Sequence, residues 1–144
     1  MAVGSQSEFS AGGVVVRGED CIVIVPTRRA ADGSKVLALP KGHPDGAESA
    51  ADAALREVRE ETGVDATLVE KLGDIRYWYM RGGRRIAKVV SFFLLDYVSG
   101  ELEDHDQEVE HAEWMSLDEA ARRLTYKGER DMAVAALSRR GKPQ

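Results

Sequence analysis

The chain has 144 residues, a net charge of −5 and a single cysteine. This length suits one compact domain with its own core, and 43% hydrophobic and 31% charged residues are ordinary values for a globular protein. The negative charge disfavours a general nucleic-acid binder, since such proteins are usually basic, and one cysteine excludes an intrachain disulfide.

The first third of the chain alternates apolar runs with polar connections. The runs predict strands, separated by a turn at 18–20 and a polar loop at 27–34. Two glycines and a proline between Lys41 and Glu48 predict a further loop. The predicted strands are Ser10–Arg17, Cys21–Pro26 and Lys35–Leu39.

A helix is predicted from about Ala50 to Thr62. Ser49 is a suitable N-cap and Gly63 a suitable C-terminal stop. An apolar stripe should pack this helix against a sheet, and it comprises Ala51, Ala54, Leu55 and Val58.

The rest of the chain predicts more strands and then two helices, which together with the first half indicates an α/β or α+β fold. The strands are expected at Ala66–Leu72, Ile75–Arg81, Arg84–Val98 and His111–Met115, and the helices at about Leu117–Leu124 and Gly128–Arg139.

No apolar run reaches the roughly 18 residues of a membrane helix, so no membrane association is expected. Met1–Ser10 lacks the basic and apolar segments of a signal peptide, which favours a cytoplasmic location. We expect one domain over 1–144, with an ordered core of about 8–140. Cys21 lies in a strand-like run and is predicted to be a buried structural thiol.

Three glutamates stand out in the predicted helix. Glu57, Glu60 and Glu61 are spaced so that their carboxylates share one helical face. Like charges repel at this distance, but a hard cation such as Mg²⁺ or Mn²⁺ would hold them together. The plainer interpretation is a solvated helix whose arginines pair with these glutamates.

The surrounding residues carry a longer pattern, G-x5-E-x7-R-E-U-x-E-E-x-G-U, with U a bulky aliphatic residue. It is complete at Gly42, Glu48, Arg56, Glu57, Val58, Glu60, Glu61, Gly63 and Val64. This stretch, 42–64, resembles the Nudix box. The resemblance implies an α/β/α sandwich around a mixed sheet, with the box as loop–helix–loop, and metal-dependent hydrolysis of a nucleoside diphosphate linked to another group.

The resemblance also implies roles for single residues. Glu57, Glu60 and Glu61 would bind the metal, with Glu57 also a candidate general base. A main-chain carbonyl at Lys41 or Gly42 would be a further ligand. Arg56 would orient the glutamates, as a partner one helical turn from Glu60.

An acidic segment, 101–110, offers another ligand. In similar enzymes a catalytic or metal-binding glutamate lies six residues before a tryptophan, and Trp114 places it at Glu108. Asp106 and Glu110 are the alternatives. Trp114 itself is expected in the core.

The stretch from Ile75 to Lys88 is both aromatic and basic. Gly82-Gly83 suits a two-residue hairpin turn, which would pair Tyr77 with Lys88 and Tyr79 with Ile86. That face could stack a base and bind phosphate, although a surface hairpin with aromatic packing is the alternative. Trp78 would point the other way, into the core.

Several residues resemble those of diadenosine polyphosphate hydrolases, including Leu39-Pro40-Lys41-Gly42-His43. By this likeness Tyr126 would stack on adenine and His43 would contact a phosphate. Phosphates would also be held by Lys41, Arg84 and Lys88. We therefore expect Mg²⁺-dependent release of ATP from Ap4A or Ap6A. The protein is expected to be a monomer or a homodimer, and no stable binding of nucleic acid is expected.

Other activities remain open from the sequence. The enzyme alternatives are a pyrophosphohydrolase of oxidised nucleoside triphosphates, such as 8-oxo-dGTP, and a diphosphoinositol polyphosphate phosphohydrolase. A non-enzymatic Nudix domain that senses a ligand is a further alternative. Such domains usually lack some of the box glutamates, whereas all are present here.

Overall fold

The structure, a computed structural model, describes residues 5–140, so both ends of the predicted 1–144 domain lie outside the described residues. Within these described residues, six strands and three α-helices follow one another. They are β1 (Ser5–Arg17), β2 (Asp20–Pro26), β3 (Lys41–Gly42), α1 (Ala50–Thr62), β4 (Val64–Arg81), β5 (Arg84–Gly100), a short 3₁₀ helix (Leu102–Asp104), β6 (Val109–Ser116), α2 (Leu117–Arg123) and α3 (Lys127–Arg140).

The strands form one mixed sheet in the order β4-β5-β1-β2-β6. The central pair, β1 and β5, is parallel, while the other neighbours along this path are antiparallel. The short strand β3 pairs only with β1, where Ala11 faces Gly42. The box loop therefore begins at the centre of the sheet.

The two faces of the sheet bury different helices, as the alternation of side chains along β1 requires. Val14 and Val16 face a core cluster that contains Leu117 and Leu124 and is completed by α3. Ala11 and Val15 face the opposite cluster, which is built on α1. The predicted α/β/α sandwich around a mixed sheet is confirmed.

The predicted ends of the box helix are confirmed. The Ser49 hydroxyl accepts a hydrogen bond from the Asp52 amide at 3.1 Å, which caps the first turn. Gly63 ends the helix with φ 78°, and its amide donates to the Arg59 carbonyl at 2.9 Å. Of the predicted stripe, Ala54 and Val58 are fully buried, whereas Ala51 and Leu55 are half-buried.

The predicted hairpin register is also confirmed, but the prediction for one of its rings is wrong. Tyr77 pairs with Lys88, Tyr79 with Ile86, and Gly82-Gly83 make the turn. Trp78 was predicted to be buried but is 52% exposed. Helix α1 packs on the sheet face to which Trp78 belongs, but it leaves the hairpin end of that face uncovered. The Trp78 ring instead stacks under the guanidinium of Arg85 at 4.1 Å.

The predicted strand Lys35–Leu39 is wrong. Within it only Ala38 pairs with a strand, through an isolated bridge to Ile24. The backbone of Leu37 is bonded instead to Thr125, between α2 and α3, through its amide at 2.8 Å and its carbonyl at 2.9 Å. These polar groups thus find partners outside the sheet.

Two further boundaries differ from the prediction. Lys41–Gly42, predicted as loop, forms β3, because its backbone meets Ala11 and Gly12 of β1. The two strands predicted at 66–72 and 75–81 are one long strand, β4, whose register shifts absorb the irregular sequence between them.

Cys21 is fully buried, and burial raises the pKa of its thiol to about 12, as suits a structural cysteine. Trp114, predicted to lie in the core, is half-buried and packs edge-on against Tyr97, with the Arg17 guanidinium 4.0 Å above its ring. No helix among residues 5–140 is long and apolar enough to cross a membrane.

The left-handed conformation of Gly63 gives a test of the helix end. A Cβ there would lie 2.4 Å from the Glu101 carbonyl oxygen, so Gly63→Ala adds a backbone clash to the ~1–2 kcal/mol cost of positive φ. We expect a loss of at least ~2 kcal/mol in the free energy of unfolding, measured by urea denaturation. Gly33→Ala is the matched control, because its φ is 85° with open space around it, and it should cost only ~1 kcal/mol. Equal losses would show that the close approach to Glu101 does not matter.

Candidate functional site

The box helix borders a cavity of about 920 Å³ at the centre of the sheet. Side chains from α1, the segment around β3, the end of β2, β5 and the loop before β6 converge there. The cavity gathers nine of the predicted site residues: Lys41, Gly42, His43, Arg56, Glu57, Glu60, Glu61, Lys88 and Glu108.

Arg56 joins the acidic residues of this cavity. Its guanidinium donates to Glu57 and to Glu60 at 2.9 Å, and the predicted pairing with Glu60 is confirmed. It also donates to Glu48 at 2.9 and 3.0 Å and to the His43 carbonyl at 2.8 Å. The box loop and the glutamate face of α1 are therefore held by one side chain, and the pKa of Arg56 is raised chiefly by its bond to Glu48.

Glu61 lies deeper and has a different partner. It accepts a hydrogen bond from the Lys41 amide at 2.9 Å, and within the described residues no cationic side chain forms an ion pair with it. Burial raises the pKa of its carboxyl to about 8, with the neighbouring Glu57 charge adding to the effect. Burial likewise raises the pKa of Glu57, while Arg56 opposes the shift. A bound cation would relieve this cost.

Gly42 passes directly over the Glu57 carboxylate. A Cβ at Gly42 would lie 2.1 Å from the carboxyl carbon of Glu57, so only glycine allows this approach. The donors gathered here are carboxylate and main-chain oxygens, the chemistry that Mg²⁺ and Mn²⁺ prefer. Among residues 5–140, however, no three acidic, histidine or cysteine side chains converge on one point, because Arg56 holds Glu57 and Glu60. Binding a cation would require these two carboxylates to turn toward Glu61.

The acidic loop before β6 completes this side of the cavity. Asp106 and Glu108 both line it, and the charge of Glu108 contributes to the raised pKa of Glu57. The Asp106 amide donates to the Glu60 carbonyl at 3.0 Å, which ties the loop to α1. Glu110 is turned away, in ion pairs with Arg29 at 2.6 Å and Lys35 at 3.3 Å. The placement thus favours Glu108 or Asp106 over Glu110.

Cationic side chains occupy the other side of the cavity. Lys88 is only 9% exposed, and burial lowers the pKa of its ammonium, while Glu8 lies 3.7 Å away. Lys41 and Arg28 also line the wall. His43 is exposed, with its Nδ1 atom 3.0 Å from the Phe9 carbonyl oxygen. An anion in this cavity would lie between these groups and the glutamates.

A second cavity, of about 540 Å³, adjoins the first and shares Lys41 and Arg28 with it. The rings of Tyr77 and Tyr126 line it, at 44% and 46% exposure, above the apolar side chains of Phe92 and Val90. Flat, half-exposed rings over an apolar floor suit a planar ligand group.

Two predicted substrate residues lie at neither cavity. Tyr79 donates its hydroxyl to Glu8 and accepts from Arg81, and Arg84 is exposed at the tip of the hairpin. Three residues were not predicted. Arg28 reaches both cavities from a loop without periodicity, while Glu8 and Glu129 pair with the cavity lysines from distant parts of the chain.

The chain is similar to known proteins over most of its length. The family model described as NUDIX domain matches residues 8–136. The chain is 39% identical over 134 residues, 90% of its length, to a protein named mutator protein MutT4 from Mycobacterium tuberculosis. It is 36% identical over 98 residues, 64% of its length, to the asymmetrical bis(5'-nucleosyl)-tetraphosphatase of Rattus norvegicus. It spans 54% of the first protein and 63% of the second.

Among solved structures, a NUDIX hydrolase from Nitrosomonas europaea superposes with a TM-score of 0.77 at 20% identity, over 96% of this chain and 93% of that one. At this identity the likeness concerns the fold.

Glu61 gives a test of the carboxylate site. Replacing it by glutamine keeps an acceptor for the Lys41 amide but removes a half-buried charge that pairs with no cationic side chain of the described residues. In EDTA at pH 8, Glu61→Gln should therefore raise the free energy of unfolding by ~1 kcal/mol, or about 3 °C in Tm.

With Mg²⁺ the native chain should have a higher Tm than Glu61→Gln. The native chain should gain Tm because the cation binds only the folded state, and Glu61→Gln should lose most of that gain. Scanning calorimetry with and without Mg²⁺ measures both. An equal gain in the two proteins would contradict a role for Glu61 in cation binding.

Proposed function

The chain belongs to the Nudix family, and we propose that it is a hydrolase that cleaves a dinucleoside polyphosphate such as Ap4A or Ap6A to release ATP. The observation that carries the proposal is the junction of the two cavities. A carboxylate site, a set of cations and an aromatic slot follow one another along one groove, with Lys41 and Arg28 at the junction.

Each part of the groove suits one part of such a substrate. Tyr77 and Tyr126 would stack on a base, as half-exposed rings do in nucleotide sites. Lys41, Lys88 and Arg28 would hold phosphates, and Lys88 is pre-placed because it is almost fully buried. The name of the rat relative, with 36% identity, supports a dinucleoside substrate.

The glutamates of α1 would act on the phosphate chain. Glu57, Glu60 and Glu61, with the Gly42 carbonyl and either Glu108 or Asp106, would hold Mg²⁺ or Mn²⁺. When bound, the metal supplies charge neutralisation at phosphate and orientation of a water. Arg56 would hold the box loop through Glu48 and the His43 carbonyl while Glu57 and Glu60 turn toward Glu61.

Cleavage is an in-line displacement. A water oxygen bonds to one phosphorus, the bridging P–O bond breaks, and Ap4A yields ATP and AMP. Glu57 would take the proton of the water, with Glu108 as the alternative base. Burial raises the pKa of Glu57, which makes its carboxylate a stronger base than that of a solvent-exposed glutamate.

A second candidate is hydrolysis of a nucleoside triphosphate to a monophosphate and pyrophosphate. The 8-oxo-(d)GTP phosphatase of Mycolicibacterium smegmatis, to which the chain is 35% identical over 92 residues, favours it. One aromatic slot and one phosphate site are sufficient for such a substrate, so the products must distinguish the two.

A substrate panel provides the test. The protein is incubated with Mg²⁺ and Ap4A, Ap6A, 8-oxo-dGTP, ADP-ribose or an inositol pyrophosphate, and products are separated by anion exchange. We expect ATP and AMP from Ap4A, with turnover at least 100-fold lower for Glu61→Gln, which controls for contaminating phosphatases. Pyrophosphate and a monophosphate from 8-oxo-dGTP, with Ap4A untouched, would contradict the proposal.

Tyr126 should determine affinity and not the chemical step. Tyr126→Ala removes one ring of the slot and should raise KM for Ap4A about 10-fold or more with kcat little changed, since base–aromatic stacking contributes ~1–3 kcal/mol. Tyr126→Phe keeps the ring and should behave like the native chain. An unchanged KM in the alanine variant would remove Tyr126 from the base slot.

A further inference from the structure

A buried carboxylate stands in the wall between the two cavities. Glu129, in the first turn of α3, is only 3% exposed, although glutamates are rarely buried to this degree without a partner. It lines the second cavity, whereas the metal-site carboxylates line the first. No step of the proposed hydrolysis uses it.

Glu129 has two partners, both in the segment that leads into the box. One carboxylate oxygen accepts from the Leu39 amide at 2.8 Å, and the other accepts from the Lys41 ammonium at 3.0 Å. In this ion pair the Lys41 side chain is 19% exposed and the Glu129 side chain is 4% exposed. Both oxygens are thus engaged, and the lysine is held across the junction of the cavities.

The same segment is fixed from its other side. The Lys41 amide donates to Glu61 at 2.9 Å, and the Pro40 carbonyl accepts from the Gly13 amide at 3.2 Å. A Cβ at Gly12 would lie 2.4 Å from that carbonyl oxygen, so the segment runs tightly against β1. A shift of Lys41 would therefore be transmitted to Glu61.

We propose that Glu129 is a positioning residue that fixes Lys41 and, through the Lys41 amide, the carboxylate of Glu61. It thereby sets the distance between a phosphate-binding cation and the metal site. The phosphate part of this inference rests on the proposed function. The part that concerns Glu61 and a divalent cation does not depend on the substrate.

A purely structural ion pair is the competing explanation. Breaking a buried pair lowers stability because one charge is left without its partner, whatever the pair does for function. Thermal stability alone therefore cannot distinguish the two roles, whereas cation affinity can. Partners that orient metal ligands typically change metal affinity or activity by about 10–100-fold when they are mutated.

The test is Glu129→Gln, with Mn²⁺ binding measured by calorimetry in the absence of nucleotide. The glutamine oxygen can still accept from the Leu39 amide, but the neutral side chain does not hold the Lys41 ammonium. We expect the Kd for Mn²⁺ to rise about 10-fold, and kcat on the substrate that the native chain cleaves to fall about 10–100-fold, by more than KM rises.

Two further variants make the outcome decisive. Lys41→Met/Glu129→Gln removes both charges, which guards against misfolding, and it should recover Tm without recovering Mn²⁺ affinity. Glu119→Gln, in an exposed pair with Arg123 on α2, is the matched control and should bind Mn²⁺ like the native chain.

The result that overturns the inference is Mn²⁺ affinity within twofold of native in both Glu129 variants, even if Tm falls. Failure of the proposed function has a different signature. In that case the native chain leaves Ap4A intact, while Mn²⁺ binding still depends on Glu129.

Discussion

The site depends on the hydrogen bonds and ion pairs that the Arg56 guanidinium makes. Three glutamates on one face of α1 would repel one another, and Arg56 compensates two of them while it also holds Glu48 and the box loop. A planar group with five donors can satisfy several acceptors at fixed angles, which a lysine cannot. Arg56 therefore joins the box loop to the glutamate face of α1.

The segment Leu39–Gly42 carries the second constraint, because it runs between β1, α1 and α3 with little free space. Gly42 passes over the Glu57 carboxylate, and Gly12 leaves room for the Pro40 carbonyl. Close packing of this kind transmits displacements instead of absorbing them. The Glu61 carboxylate, which pairs with no cationic side chain among residues 5–140, is therefore held in place by its bond to the Lys41 amide.

The sequence was informative where local chemistry repeats in a known pattern. The caps of α1 and the hairpin register depend on neighbouring residues, and these predictions are confirmed. The failures share a different cause. Trp78 is exposed because α1 does not reach the hairpin, and Leu37 bonds to Thr125, 88 residues away. Such long-range partners leave no periodicity in the chain, which is also why Glu129 was not predicted.

In the proposed function, the shared wall of the two cavities would connect the choice of substrate to the chemical step. A ligand whose base lies between Tyr77 and Tyr126 must pass its phosphates by Lys41 to reach the glutamates, because Lys41 lines both cavities. The amide of the same residue bonds to Glu61, so in the proposed function base recognition and cation binding would meet at one backbone position. A ligand that engages only the carboxylate site gains nothing from the aromatic slot, whereas one that spans both can use the binding energy of its base to place its phosphates. Discrimination among nucleotides should therefore depend on the length of the phosphate chain between base and metal site more than on the identity of the base.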